Sequence, residues 1–101
     1  MATRLDWDPV KDRINQASHG VSFEVASHVF EDPYQLAVQD RHENGEERWQ
    51  TLGAVAGLII LLVAHTIRED DGVEVIRIIS ARRANLHERR RYEQALAKAT
   101  R

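Results

Sequence analysis

The chain has 101 residues, of which 43% are hydrophobic and 30% are charged, so it can form one modest core and is too apolar to be disordered. It has no cysteine, which excludes disulfides, thiolate metal sites and cysteine nucleophiles. The net charge of −2 conceals an asymmetry, because residues 1–76 carry six basic and fourteen acidic side chains, whereas residues 77–101 carry eight basic and two acidic. We therefore expect a single domain, residues 1–101, whose basic end binds an anion such as nucleic acid.

The first helix is predicted from the residues at its two ends. A short strand, residues 5–7, precedes it. Asp8 followed by Pro9 is typical of a helix N-cap with proline at the first helical position, and Gly20 is expected to end the helix. The apolar residues expected to face the core are Val10, Ile14 and Ala17.

Further along the chain, a second helix and four strands are predicted. Ser22 is expected to cap the helix, and Asp32-Pro33 to end it. Its core-facing residues would be Phe23, Ala26 and Phe30. The predicted strands are residues 35–39, 47–55, 58–64 and 74–80, with a polar loop at 40–45 and a turn at Asp71-Gly72.

The C-terminal helix is predicted to begin at Asn85, with Glu88 three positions later as a capping box. Its core-facing residues would be Tyr92, Ala95, Leu96 and Ala99. The linker of residues 80–83 between strand and helix is expected to concentrate positive charge at one corner. The fold class is therefore α+β, a small mostly antiparallel sheet with two N-terminal helices and one C-terminal helix.

The register of the hairpin at Asp71-Gly72 decides which residues share a face of the sheet. A two-residue turn would place Thr66 opposite Arg77, cluster both with Arg68, and turn His65 to the reverse face. A three-residue loop would place His65 beside Arg77. The sequence leaves both registers open.

A membrane span and a metal site are not expected. Residues 52–67 carry no Asp, Glu, Lys or Arg, but this stretch is shorter than a span and contains glycines, so it is interpreted as a central strand. The first residues lack the apolar segment of a signal peptide, and a cytoplasmic protein is expected. The five histidines show no ligand spacing, so neither a metal nor another cofactor is predicted.

Five motifs in order along residues 5–92 resemble the BrnT family. They are Trp7-Asp8-Pro9-x-Lys11-x-x-x-Asn15, His19-Gly20-Val21-Ser22-Phe23, Gly45-Glu46-x-Arg48, His65-Thr66-x-Arg68 and Ile76-Arg77-Ile78-Ile79-Ser80-Ala81-Arg82. The resemblance implies a RelE-like fold, ribonuclease activity and a role as the toxin of a bacterial type II toxin–antitoxin pair. It also implies a BrnA-like antitoxin that neutralises the toxin and binds operator DNA. Ser18 stands where the family commonly has a lysine, and Lys11 is expected to replace part of that contact.

Candidate site residues follow from the chemistry of metal-independent RNA cleavage. This reaction needs a base for the 2′-hydroxyl, cations for the phosphorane and an acid for the 5′-oxygen. The catalytic candidates are Arg77, His65 and Glu46, and the RNA-binding candidates are Arg48, Arg68, Arg82, Arg83 and Lys11. The alternative is a non-catalytic nucleic-acid or protein-interaction module, an inactive relic of a toxin, that uses the same C-terminal basic corner.

Overall fold

The protein has an α+β fold around one five-stranded sheet. The structure, a computed structural model, describes residues 2–43 and 46–100, and for residues 41–43 it describes only the backbone. The strands are β1 (Ala2–Trp7), β2 (Leu36–Glu43), β3 (Glu46–Val55), β4 (Ile59–Asp70) and β5 (Val73–Arg83). The helices are α1 (Pro9–His19), α2 (Phe23–Ser27) and α3 (Leu86–Ala99), with a short 3-10 helix, His28–Glu31, after α2. Within the covered ranges no helix combines the length and the apolar content that crossing a bilayer requires.

The sheet is mixed, with the strand order β1-β5-β4-β3-β2. Three neighbouring pairs are antiparallel, but β1 lies parallel to β5. The parallel pair requires a long crossover connection, and the remaining strands and α1 and α2 provide it. The expected helix arrangement also needs correction, because the predicted second helix is five residues of α2 followed by the 3-10 turn. Most of the loop predicted at residues 40–45 is strand, and Gly45 lies outside the described residues.

The predicted helix ends are confirmed by their hydrogen bonds. The Asp8 carboxylate accepts from the Val10 N–H at 2.9 Å, and Gly20 ends α1 with a φ of 70°, which favours glycine. The Ser22 hydroxyl accepts from the backbone N–H three residues on. Asn85 and Glu88 form both bonds of a capping box at the start of α3.

The main core lies on one face of the sheet, which we call the core face. Its sheet residues include Leu61, Val63, Ile78 and Ala81, and α2 and the 3-10 helix contribute Phe23, Ala26 and Val29. Gly53 in β3 allows the 3-10 helix to approach closely, because a Cβ at this position would lie 2.6 Å from Val29 Cγ1. Any larger residue at position 53 would push the 3-10 helix away from the sheet.

The predicted apolar face of α1 is wrong, because Val10 and Ile14 are 52% and 60% exposed. The buried residue is Asn15, whose amide donates to the Ala81 carbonyl at 2.8 Å and accepts from the Ala81 N–H at 3.1 Å. Strand β1 ends at Trp7, opposite Ile78, so the following part of β5 has β4 on one side and no strand on the other. The Asn15 side chain replaces that missing backbone partner, which an apolar residue cannot do.

Helix α3 is tied to the rest of the fold through Asp32. This carboxylate accepts hydrogen bonds from the Ala54 N–H, the Tyr34 N–H and the buried Tyr92 hydroxyl. Burial alone would raise the pKa of Asp32, but the three hydrogen bonds outweigh it and hold the pKa below its ordinary value. Burial and the neighbouring carboxylate raise the pKa of Tyr92. The carboxylate thus connects the 3-10 turn, β3 and α3.

Candidate functional site

The hairpin between β4 and β5 adopts the two-residue turn. Asp71 and Gly72 have φ values of 51° and 81°, as a tight hairpin turn of this kind requires. Thr66 is therefore paired with Arg77, and His65 with Ile78. Of the two registers allowed by the sequence, the structure has the one that separates His65 from Arg77.

His65 lies on the core face and is 2% exposed. Its Nε2 is 2.8 Å from the Thr51 hydroxyl, and its ring meets the edge of Phe30 with centroids 4.9 Å apart. Burial lowers the pKa of His65 to about 4, although a hydrogen bond to the Thr66 carbonyl opposes the shift. The catalytic role predicted for His65 therefore has no geometric support, because this neutral ring is packed away from the arginines.

On the opposite face of the sheet, four side chains form a row across four adjacent strands. The register pairs Arg48 of β3 with Thr66 of β4, Thr66 with Arg77 of β5, and Arg77 with Asp6 of β1. Paired residues share a face, so these side chains are neighbours. Arg77 Nη1 donates to Asp6 Oδ1 at 2.9 Å. Asp6 was missed in the sequence because nothing local indicates where β1 joins the sheet.

A second row lies beside the first, towards the hairpin. Arg68 is paired with Val75, and Val75 with Arg4, whose Nη2 is 3.4 Å from Asp70 Oδ2. Glu46 is two residues before Arg48 in β3, so alternation places it on the same face. We call the polar side chains of the two rows together the basic face, and they are Arg4, Asp6, Glu46, Arg48, Thr66, Arg68 and Arg77.

Arg82 and Arg83 lie at the other end of β5. Arg82 lies five positions after Arg77 in β5, which corresponds to roughly 15 Å. Both Arg82 Nη atoms bind the Glu88 carboxylate, at 2.8 and 3.0 Å, and this fork lowers the pKa of Glu88 and raises that of Arg82. Arg83 lines a groove with Leu58 and Arg89. The arginines of the basic end therefore form two groups, and Arg77 lies apart from the corner predicted at residues 80–83.

Lys11 is exposed on α1 and lines a shallow pocket with Ser18 and Ser80. Ser80 is paired with Ala64, which lies two residues before Thr66 in β4 and on the same face. The pocket is thus adjacent to the basic face. The structure places Lys11 at the border of that face and not within it.

Comparison with known proteins gives the family and the fold of this chain. The family model described as "Ribonuclease toxin, BrnT, of type II toxin-antitoxin system" matches residues 7–88. The crystal structure of the Brucella abortus ribonuclease toxin BrnT superposes with a TM-score of 0.61 and 22% identity, over 84% of this chain and 99% of that one, and shows a shared fold. No curated protein sequence matches. The family match confirms the resemblance seen in the motifs, and the chain belongs to the BrnT family of ribonuclease toxins of type II toxin–antitoxin systems.

Proposed function

We propose that the chain cleaves RNA on the basic face without a metal ion. The observation that carries this proposal is the row of paired residues Arg48, Thr66 and Arg77 on one face of the sheet, with exposed Arg68 beside it. An arginine guanidinium has five N–H donors in a planar fork and stays charged, which suits binding of phosphate oxygens. Membership of the family supports the ribonuclease activity, and we propose that this row of side chains is where the RNA binds.

The chemistry assigned to this face is attack of the 2′-oxygen on phosphorus with loss of the 5′-oxygen. The proton of the 2′-hydroxyl passes to a carboxylate, for which we propose Glu46, and the 5′-oxygen takes a proton from solvent. Arg77 stabilises the charge that develops on the phosphorane. Arg48 and Arg68 bind neighbouring phosphates of the same strand.

The remaining cations have more distant roles in this proposal. We assign Lys11 and Arg83 to phosphates farther along the RNA, since both lie outside the basic face. Arg82 is assigned to structure, because its guanidinium is bound by Glu88.

Metal independence is supported by the residue types on the face. Among the described residues, no group of three or more His, Asp or Glu side chains lies close enough together to hold a metal ion. In this proposal the arginine fork supplies the positive charge that a metal would otherwise bring.

The direct test is incubation of the purified protein with cellular RNA in excess EDTA. We expect degradation by the wild-type chain and none by Arg77→Ala at the same concentration of folded protein. Intact RNA with a confirmed fold would contradict the catalytic proposal.

One observation favours the alternative of a non-catalytic module, namely that His65 is buried and leaves the face without its imidazole. Such a module would bind RNA through the same arginines, with an affinity that falls steeply as salt increases, and would leave RNA intact. Binding without cleavage in EDTA would select this alternative.

We further propose that a BrnA-like antitoxin silences the toxin by covering arginines that otherwise bind RNA. Membership of a type II pair implies an antitoxin partner. Among Arg68, Arg77, Arg82 and Arg83, we expect the first two to matter, because they lie on the basic face. Operator DNA contacts would fall to the antitoxin, since residues 1–76 of the toxin are acidic overall and repel DNA once the basic face is covered. Free toxin would cleave cytoplasmic RNA and so inhibit translation and growth.

Co-expression with the adjacent gene tests this partnership. We expect a complex that is stable in size exclusion and lacks ribonuclease activity, with an interface of at least about 1,200 Å² in total. A toxin that stays monomeric and active beside the product of that gene would contradict the proposal.

A further inference from the structure

Thr66, in the middle of the basic face, has a buried hydroxyl without a hydrogen-bond partner in the part of the chain that the structure describes. The residue is 3% exposed and lies between its paired neighbours Arg48 and Arg77. Buried hydroxyls are nearly always paired, and an unpaired one destabilises the folded state. The unpaired hydroxyl therefore requires an explanation.

Thr51 provides the contrast on the core face. It is also buried, at 1% exposure, but its hydroxyl is 2.8 Å from His65 Nε2. The two threonines lie in adjacent strands of the same sheet, and both could be replaced by valine with little change of shape. Only at Thr66 would valine remove a destabilising group, so packing alone does not account for the hydroxyl there.

We propose that the Thr66 hydroxyl donates a hydrogen bond to a phosphate oxygen of bound RNA, and so forms one phosphate-binding site together with Arg77. This inference rests on the proposed function of the basic face. A phosphate oxygen accepts hydrogen bonds, and this site offers it a neutral hydroxyl donor beside the charged guanidinium of Arg77. The flanking side chains must move aside, and Arg77 can do so because it is 43% exposed and is a long, flexible side chain.

This arrangement makes the site prefer ligands that carry a hydrogen-bond acceptor. The hydroxyl stays unpaired until a ligand with an accessible acceptor reaches it, so part of the binding energy of phosphate comes from satisfying a group that was buried and unpaired. A hydroxyl that already had a hydrogen-bond partner in the free protein would not contribute to binding in this way.

The experiment compares Thr66→Val with Thr66→Ser and with the matched control Thr51→Val. For each protein, the melting temperature, the rate of RNA cleavage and the Kd for a 2′-O-methyl RNA are measured. The methylated RNA lacks the attacking hydroxyl, so it binds but cannot be cleaved. Binding is measured at several salt concentrations.

For Thr66→Val we expect an unchanged or higher melting temperature, together with a Kd and a cleavage rate that are each worse by about tenfold. The salt dependence of binding should be unchanged, because the lost donor is neutral. Thr66→Ser should restore binding. Thr51→Val should lower the melting temperature and leave the Kd of the folded protein unchanged.

Two outcomes overturn the inference. One is wild-type binding by Thr66→Val. The other is a fall in its melting temperature as large as that of Thr51→Val, which would mean that the hydroxyl is already paired in the free protein. A wild-type chain that neither binds the methylated RNA nor cleaves unmodified RNA would overturn the proposed function as well, so the two failures are distinguishable.

Discussion

The middle of β5 and its C-terminal end each carry an arginine on the same face of the sheet, but the two guanidinium groups have different partners. Arg77 makes one contact with Asp6, and the side chains of this pair are 43% and 30% exposed. Arg82 is held by two contacts to Glu88, whose side chain is 14% exposed and also closes the cap of α3. The first arrangement leaves donors of the guanidinium for a ligand. The second uses the guanidinium to join a strand to a helix.

The comparison shows that arginines clustered in the sequence need not form one surface in the folded protein. Arg77 and Arg82 are five positions apart and look equivalent in the chain. Their roles separate only when the partner of each guanidinium is known. A partner that is itself buried and hydrogen-bonded marks a structural arginine, whereas a partly exposed single contact leaves room for exchange with phosphate.

The largest expected effect is that of Arg77→Ala on RNA cleavage. We expect a fall of about a hundredfold or more, because the substitution removes a charge that stabilises the transition state. The free energy of unfolding should change by less than about 1 kcal/mol, since partly exposed ion pairs contribute little. Cleavage rates and denaturant unfolding of the same preparations measure both quantities.

Arg82→Ala is the matched control for Arg77→Ala, since it removes the same side chain from the same strand and face. We expect its cleavage rate to stay within a few-fold of wild type, on the order of the scatter for residues outside a site. Equal losses of activity in the two variants would mean that Arg77 and Arg82 belong to one site, and the distinction drawn above would fail.

His65 should make the fold sensitive to acid. Its pKa is about 4 in the folded protein and 6.5 when unperturbed, so between these values the unfolded chain binds a proton that the folded protein does not. The stabilisation is therefore complete above pH 6.5 and is lost as the pH falls towards 4. The loss amounts to about 3 kcal/mol.

Denaturant unfolding at pH 7 and pH 4.5 measures this effect, with His65→Gln as the control that should lose most of the pH dependence. Glutamine can still bond the Thr51 hydroxyl but does not titrate. A His65 ring that titrates near pH 6.5 in the folded protein, as followed by NMR, would return this residue to the candidates for catalysis.

Local signals predicted much of the structure that surrounds these groups. The dipeptide Asp71-Gly72 limited the register of the hairpin to two possibilities, one of which is the observed pairing of Thr66 with Arg77. The cap formed by Asn85 and Glu88 was also predicted. In each case the information lies within a few neighbouring residues, where backbone geometry and side-chain chemistry act directly.

Contacts between distant residues were not predicted. Asp6 meets Arg77 across 71 positions, through a parallel strand pair that no short motif indicates. A bulge beside Ala64 pairs Arg82 with Leu62, on the face of Arg77. A regular ladder would have turned Arg82 to the other face. A bulge of one residue leaves no recognisable mark in the sequence.

The smallest expected effects concern the fork between Arg82 and Glu88. Arg82→Ala should lower the free energy of unfolding by about 1 kcal/mol, since the guanidinium is 39% exposed and solvent screens the pair. Glu88→Ala should cost about 1–2 kcal/mol, because it also removes the cap bond to the Asn85 N–H. Each kcal/mol corresponds to roughly 4–8 °C in melting temperature for a domain of this size.

The double variant of Arg82 and Glu88 tests whether these losses share one interaction. We expect it to be less destabilised than the sum of the single variants by at least about 0.5 kcal/mol, because both remove the same fork. The pKa of Glu88 is lowered by the fork, so this stabilisation is present above the ordinary carboxylate pKa and is lost as the pH falls through the lower, folded value. Strict additivity at pH 7 would show that the two contacts contribute nothing to stability, and Arg82 would then be as available to RNA as Arg77.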